Sequence, residues 1–420
     1  MITPALYEAC TRLLAEVLGS PGAADGRMDR FFRSQTRLGP KERGAIAETV
    51  YGSLRHHRLL CALAETSEPR AVIAAWLAAF EGYAARQLAS LGVPHPEALV
   101  ARARADRALL PFAVKNSLPD WLAARLHALL PSSEVQAAAD ALLAPAPLDV
   151  RANTLKTDRT PLQQAFAAAG HDLQPTPLSP WGLRRLSRAS LFRTDAFASG
   201  QFEVQDEGSQ LIAPLLEPRR GERIVDYCAG AGGKTLHLSA LLANTGTLYA
   251  FDTSQKRLDR LRERAARAGC DNIRIQTLGA GHDGRIKRLY GKIDRVLVDA
   301  PCSGTGTLRR SPDAKWRLAE ARIATLSHEA RDILNQAARL VRPGGRLVYA
   351  TCSLLPEENE DVITDFLAEH GDYTALNAAE ILTRRGIALP PRTPDEGPGL
   401  RLWPHRHGTD GFFAQVLQRS

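Results

Sequence analysis

Three short stretches hold residues whose types and spacing suit chemistry. DAPCSGTGTLRR (299–310) carries Asp299 and Cys302, ATCS (350–353) carries Cys352, and DYCAGAGGKT (226–235) is a glycine-rich turn ending in Lys234 and Thr235. A thiolate is a strong nucleophile that activates substrates through a covalent adduct. Two thiols beside a methyl donor suit one reaction in particular. Carbon 5 of cytosine is a poor nucleophile, but a thiolate added at carbon 6 turns the ring into an enamine whose carbon 5 can attack a methyl group. The adduct must then lose its carbon 5 proton and expel the thiol, which calls for a base or a second thiol. Asp299 could hold the ring edge and support protonation at N3, and a target base would have to leave its stack to reach such a pocket. The plainer alternative is two buried thiols on neighbouring core strands. The Gly-rich, Pro-containing surroundings of Cys302 favour a shaped loop instead.

The glycine turn resembles a phosphate cradle, and that can be tested. A Walker A loop needs G-x-x-x-x-G-K-[ST]. With Gly233, Lys234 and Thr235 as its end, the first Gly falls at Cys228, so the motif fails by one residue. Asp299 could pass for a Walker B acid, which keeps a nucleotide hydrolase as a minor alternative. The dinucleotide pattern G-x-G-x-x-G fits at Gly230 and Gly232 but meets Thr at 235. Asp252 lies 20 residues after Gly232, where a carboxylate holds ribose hydroxyls. A tight turn, close backbone approach and a ribose acid suit S-adenosylmethionine, a nucleoside cofactor without a pyrophosphate.

These residues need elements to position them. From about 206 the chain alternates strand and helix: ERIVDYCA, GGKTLHLSALLA, TLYAFD, SQKRLDRLRERAARAG, NIRIQT, DRVLVDAP and RLVYATCS, with helices over 319–340 and 356–370 and a last strand GFFAQVLQR. Such alternation predicts a mostly parallel, doubly wound sheet. Cys228, Asp252, Asp299, Cys302 and Cys352 then fall at or just after strand ends, where open α/β sheets bind ligands. If the fourth and fifth strands are neighbours, their tips lie about 5 Å apart. Residues 148–205 mix short strands (LDVRANTL, GLRRLS, FEVQDEG) with the helical PLQQAFAAAG and predict a small α+β subdomain. Residues 1–143 are rich in Ala, Leu and Arg at helical spacing, and Pro145 and Pro147 mark the boundary. The expected domains are therefore 1–143, 148–205 and 206–420.

Bulk properties set limits. The chain of 420 residues is 44% hydrophobic with mean hydropathy −0.21, enough for more than one core. No apolar run reaches the about 18–20 residues of a membrane span. The N-terminus lacks the pattern of a secretory signal, so the expected location is cytoplasmic. Lys and Arg exceed Asp and Glu by 54 − 46 = 8, a balance compatible with a nucleic-acid partner. The six cysteines form no CxxC pair or Cys/His cluster, so no metal site is expected.

DYCAGAGGKT, AFD, DAPCSGTGTLRRSPD, TCSLLPEENE and PHRHGTDGFF stand in the order seen in RNA 5-methylcytosine methyltransferases. Over about 148–420 the chain resembles the Sun/NOP2 family, especially the bacterial 16S ribosomal RNA members, and residues 1–143 resemble their NusB-like helical RNA-binding domain more weakly. The resemblance implies a Rossmann-like catalytic domain using S-adenosylmethionine. By position it makes Cys352 the nucleophile and gives Cys302 a part in product release, with Asp299 contacting cofactor and target base. DNA cytosine methyltransferases use the cysteine of a Pro-Cys motif as nucleophile, so this assignment rests on the RNA family. The segment Cys228, Ala229, Gly230, Ala231, Gly232, Gly233 and Lys234 would wrap the methionine end of the cofactor, and Asp252 would take the ribose. The sequence departs from the family twice. Ala231 stands where Pro is commoner. The usual acid after the third strand, near the adenine, falls in QTLGAGHDGR, where Asp283 is the nearest candidate.

Arg309, Arg310 and Lys315 follow the Cys302 loop directly and are the candidate phosphate contacts. The reading is thus an S-adenosylmethionine-dependent RNA cytosine-5 methyltransferase, expected to be monomeric and to act on 16S ribosomal RNA. Its alternatives are a transfer RNA or other ribosomal RNA substrate, or a catalytically idle RNA-binding assembly factor.

Overall fold

A computed structural model describes residues 2–185, 190–279, 283–390 and 397–420. Its contacts form two units: Met1–Pro145 with Thr307–Glu320, and Ala146–Gly306 with Ala321–Ser420.

The first unit is helical, from Pro4–Leu18 to Ser132–Leu143. Leu6, Cys10, Leu13, Leu14 and Val17 form the buried stripe of the first helix, and Ile46, Val50 and Leu54 that of Pro40–Arg55; all share one core. Residues 307–320 were expected inside the catalytic domain, yet by their contacts they belong here. The reason lies in helix ends, which leave backbone groups unpaired. At the C-terminus of Pro40–Arg55, Trp316 Nε1 donates to the Leu54 carbonyl at 2.6 Å and Lys315 Nζ to the Arg55 carbonyl at 2.7 Å. At the start of the helix Ala24–Ser34, which has no side-chain cap of its own, Asp313 Oδ2 accepts from Ala24 N at 3.1 Å. The Lys315 and Trp316 donors satisfy carbonyls at one helix C-terminus, and a carboxylate at another's N-terminus suits the helix dipole.

The second unit holds two sheets. Strands β1 (Leu148–Ala152), β2 (Leu173–Pro175), β3 (Gly182–Arg185) and β4 (Phe202–Val204) form an antiparallel sheet in the order β2-β3-β1-β4. The helix Arg159–Ala168 covers it through Leu162 and Phe166. Residues 186–187 of the expected strand GLRRLS lie outside the described residues.

The larger sheet contains β5 (Arg223–Asp226), β6 (Thr247–Asp252), β7 (Ile273–Thr277), β8 (Ile293–Asp299), β9 (Val341–Thr351), β10 (Tyr373–Leu376), β11 (Leu400–Leu402) and β12 (Phe412–Arg419). The order is β10-β12-β9-β8-β5-β6-β7, with β11 on β12. Strands β5 to β9 pair in parallel, whereas β10, β11 and β12 pair antiparallel. Strand order reverses at β5, between β6 and β8, which opens a crevice at the carboxyl ends where such sheets bind ligands. Central strands are buried on both faces, so they read as near-continuous apolar runs such as VLV in β8. Among the described residues no helix is long and apolar enough to cross a membrane.

Candidate active site

The glycine loop leaves β5 and enters the helix Gly233–Leu241. Gly230 and Gly232 have φ of +55° and +90°, the left-handed region that costs glycine little. Gly230 N donates to Asp252 Oδ2 at 2.9 Å, and Ser254 N to Asp252 Oδ1 at 2.7 Å, so the acid ending β6 fixes the loop. Arg264 Nη1 donates to the Ala231 carbonyl at 2.6 Å. Lys234 Nζ reaches back to Asp299 Oδ2 at 2.6 Å and lies 5.1 Å from the centre of the Phe412 ring.

The loop fits a small nucleoside ligand. A Cβ added at Gly230 would meet nothing within 4 Å, so the turn faces open space. Asp226, at the end of β5, accepts from Thr235 Oγ1 at 2.7 Å through Oδ2, while its buried Oδ1 has no partner among the described residues. Burial raises the Asp226 carboxyl from 3.8 to about 7, with Asp299 and Asp252 adding to the rise. Burial, followed by these three carboxylates, also raises Cys228 well above its ordinary value, so it serves as a packed thiol.

Strands β8 and β9 are direct parallel neighbours, with Asp299 opposite Ala350. Their tips bring Cys302 Sγ and Cys352 Sγ to 3.5 Å, both thiols half-buried. The hydrogen bond to Cys352 raises the Cys302 thiol most, and burial and the charge of Glu358 raise it further. The Cys302 loop is locked by its backbone. Gly306 N donates to the Cys352 carbonyl at 2.9 Å, and Gly411 N to the Gly306 carbonyl at 2.8 Å. A Cβ on Gly306 would stand 2.3 Å from the Gly411 carbonyl oxygen, which explains two glycines where two segments touch.

Cys228 to Lys234, Asp252, Asp299, Cys302 and Cys352 therefore line one end of one sheet. Asp283 turns back toward the end of β7, accepting from Gly279 N at 3.0 Å, and the Arg285 side chain beside it holds its carboxyl well below the usual range. Residues 280–282 of the same stretch lie outside the described residues.

Lys315 and Arg309 require correction as phosphate contacts. Both are buried. Lys315 spends its ammonium on the Arg55 carbonyl, and burial, with Arg55 nearby, lowers it well below its ordinary value. The Arg309 carbonyl accepts from Arg55 Nη1 at 2.9 Å, and Arg310 is half-buried. Trp316 is anchored to the Leu54 carbonyl, in keeping with a packing role.

Sequence reasoning missed Asp226, Thr235 and Glu358. The first two stand inside the quoted glycine loop, and a buried acid ending a strand was the available signal. Glu358 sits in TCSLLPEENE among other acids, and the sequence does not distinguish it.

A family model described as "16S rRNA methyltransferase RsmB/F" matches residues 213–418, and one described as "Methyltr_RsmF/B-like, ferredoxin-like domain" matches 118–190. The probable ribosomal RNA small subunit methyltransferase B of Synechocystis sp. is 35% identical over 317 residues, 75% of this chain and 70% of that protein. The chain belongs to the RsmB/F family of RNA methyltransferases. As a member of the RsmB/F family it is an enzyme that uses S-adenosylmethionine. The human 28S rRNA (cytosine(4447)-C(5))-methyltransferase is 34% identical over 334 residues, 73% of this chain but 38% of its own length. The crystal structure of PH0851 aligns over 100% of this chain and 99% of that one, with a TM-score of 0.82 and 26% identity.

Proposed function

We propose that the chain methylates carbon 5 of a cytosine in RNA, with 16S ribosomal RNA the expected substrate, through a covalent adduct to Cys352. The observation that carries this reading is the pair of thiols 3.5 Å apart at the ends of adjacent strands, at the same carboxyl end of the sheet as the glycine loop. S-adenosylmethionine, when bound, supplies an electrophilic methyl group. Cys228 to Lys234 would hold its methionine end, Asp252 its ribose, and Asp283 its adenine side. The Cys352 thiolate would add to carbon 6 of an unstacked cytosine, and the enamine electrons would make carbon 5 the nucleophile. Asp299, whose Oδ2 accepts from Lys234 Nζ, would meet the ring edge. After methylation a base removes the carbon 5 proton, the electron pair re-forms the ring double bond, and the Cys352 sulfur leaves. Cys302 would assist this last step, a role supported by its hydrogen-bond distance from that sulfur. The NusB-like reading of residues 1–143 as an RNA-binding unit belongs to the same proposal.

The supporting experiment is methyl transfer from labelled S-adenosylmethionine to RNA from cells lacking this protein, followed by bisulfite mapping. One new 5-methylcytosine in 16S RNA is expected. Cys352→Ala should lower turnover by about 10⁴-fold or more while leaving cofactor affinity in place. Retained turnover in that variant removes Cys352 from the nucleophile role, and label at any atom other than carbon 5 removes the cytosine-5 reading.

A further inference from the structure

The two thiols lie on separate loops, and something must hold them at a working distance. Ser303 directly follows Cys302, and Ser353 directly follows Cys352. Glu358, fully buried, joins the two: Oε1 accepts from Ser303 N at 2.7 Å, and Oε2 accepts from the hydroxyls of Ser303 and Ser353. We propose that Glu358 is the positioning residue of the thiol pair, a buried carboxylate that ties the Cys302 loop to the Cys352 loop and holds one thiol against the other. The proposal rests on the reading of Cys302 and Cys352 as the reacting pair.

The surroundings of Glu358 are built for this task. Its main-chain carbonyl accepts from Tyr349 Oη at 2.6 Å, which fixes the turn to the carboxyl end of β9. Next to it, Asn359 Oδ1 accepts from Thr351 Oγ1 at 2.5 Å, and Asn359 Nδ2 donates to the Ser353 carbonyl at 3.0 Å. Thr305 Oγ1 bonds Ser353 Oγ at 3.2 Å and accepts from Leu354 N at 2.9 Å, a further tie between the loops beside the main-chain bond from Gly306 N to the Cys352 carbonyl. A buried carboxylate is costly unless hydrogen-bonded, and here three donors compensate it. If the task were packing alone, an apolar side chain would fill the space at lower cost.

The carboxylate also acts on the chemistry. The titratable groups facing Cys302 are Cys352, Glu358 and Tyr349, and none is a cation. The hydrogen bond with Cys352 and burial raise the Cys302 thiol most, and the negative charge of Glu358 adds to them, so that thiol keeps its proton. A pair with one thiol held protonated has a single nucleophile and one proton carrier, rather than two competing nucleophiles.

Two readouts test this, one of which needs no RNA. In a Cys352→Ser background, alkylation of Cys302 by iodoacetamide is followed against pH, with and without Glu358→Gln. The amide keeps the shape and removes the charge. The expected result is a midpoint lower by about one pH unit. In the otherwise intact chain, Glu358→Gln should lower kcat for RNA methylation by about tenfold with KM for S-adenosylmethionine within about twofold. Ser353→Ala, which removes one end of the bridge, should lower kcat in the same sense and keeps the test open if Glu358→Gln fails to fold. An unchanged alkylation midpoint, or kcat within about twofold of the parent in both variants, overturns the proposal. So does a parallel loss of cofactor binding, which would make Glu358 a folding residue. If the parent chain methylates no cytosine but the alkylation midpoint still shifts, the functional reading fails and the positioning role stands.

Discussion

The glycine loop and the thiol pair, both at the carboxyl end of the large sheet, are built from different materials. At the glycine loop the main chain does the holding: Gly230 N bonds the Asp252 carboxylate, Arg264 grips the Ala231 carbonyl, and positive φ at Gly230 and Gly232 sets the turn. At the thiol pair a side-chain network is added to the main-chain bond between Gly306 N and the Cys352 carbonyl, with Ser303, Thr305, Ser353 and Glu358 bonded to one another around two cysteines. A main-chain site tolerates exchange of side chains that point away from it. A side-chain site fails when one member loses a hydrogen-bonding atom, because the partner left behind is buried and unpaired.

The largest effect that sharpens this contrast comes from Cys302→Ala. On the roles proposed above it removes the release partner and leaves the nucleophile, so turnover should fall by about 10²-fold or more while a covalent RNA–protein species accumulates. A denaturing gel reads it directly, and slow turnover without the retarded band would detach Cys302 from release. A middle-sized effect belongs to the loop end. Asp226 holds its proton to about pH 7 in the folded chain against 3.8 for the ordinary group, so the folded state binds more protons across that interval. Stability is therefore full below the lower value and falls as pH rises through the upper one. Asp226→Asn keeps an acceptor for Thr235 and should flatten that fall, giving a higher Tm than the parent at pH 7 and little difference at pH 4. Parallel Tm curves would show that Asp226 is ionised throughout. The smallest effect should come from Ala231→Pro, with activity within about twofold, since loops accept Pro where no backbone N–H is needed. A large loss there would break the contrast, by showing that the loop depends on its side chains as the thiol pair does.

Much of this was legible in the residues. Strand–helix alternation after residue 206 gave the sheet, and the position of cysteines and acids at strand ends placed them together before any distance was known. The rest was hidden for physical reasons. TCSLLPEENE offers Glu357, Glu358 and Glu360, and only packing decides that Glu358 turns inward while Glu360 pairs with Arg401. Lys315 was assigned by its sequence distance from Cys302. Its actual partner, the Arg55 carbonyl, lies 260 residues earlier in the chain, and no local pattern encodes such a contact.

That long reach affects the order in which the protein can be made. The helical unit takes residues 307–320 into itself, so it is finished only after most of the second unit has been synthesised. Until then Ala24 N lacks its cap from Asp313, and the last turn of Pro40–Arg55 lacks Lys315 and Trp316. Contacts spanning 289 and 262 residues close late, because distant segments must meet before the bond repays the loop. A nascent N-terminal portion therefore leaves the ribosome with two helix ends unprotected, and the chain must carry them open until its last quarter has begun to emerge.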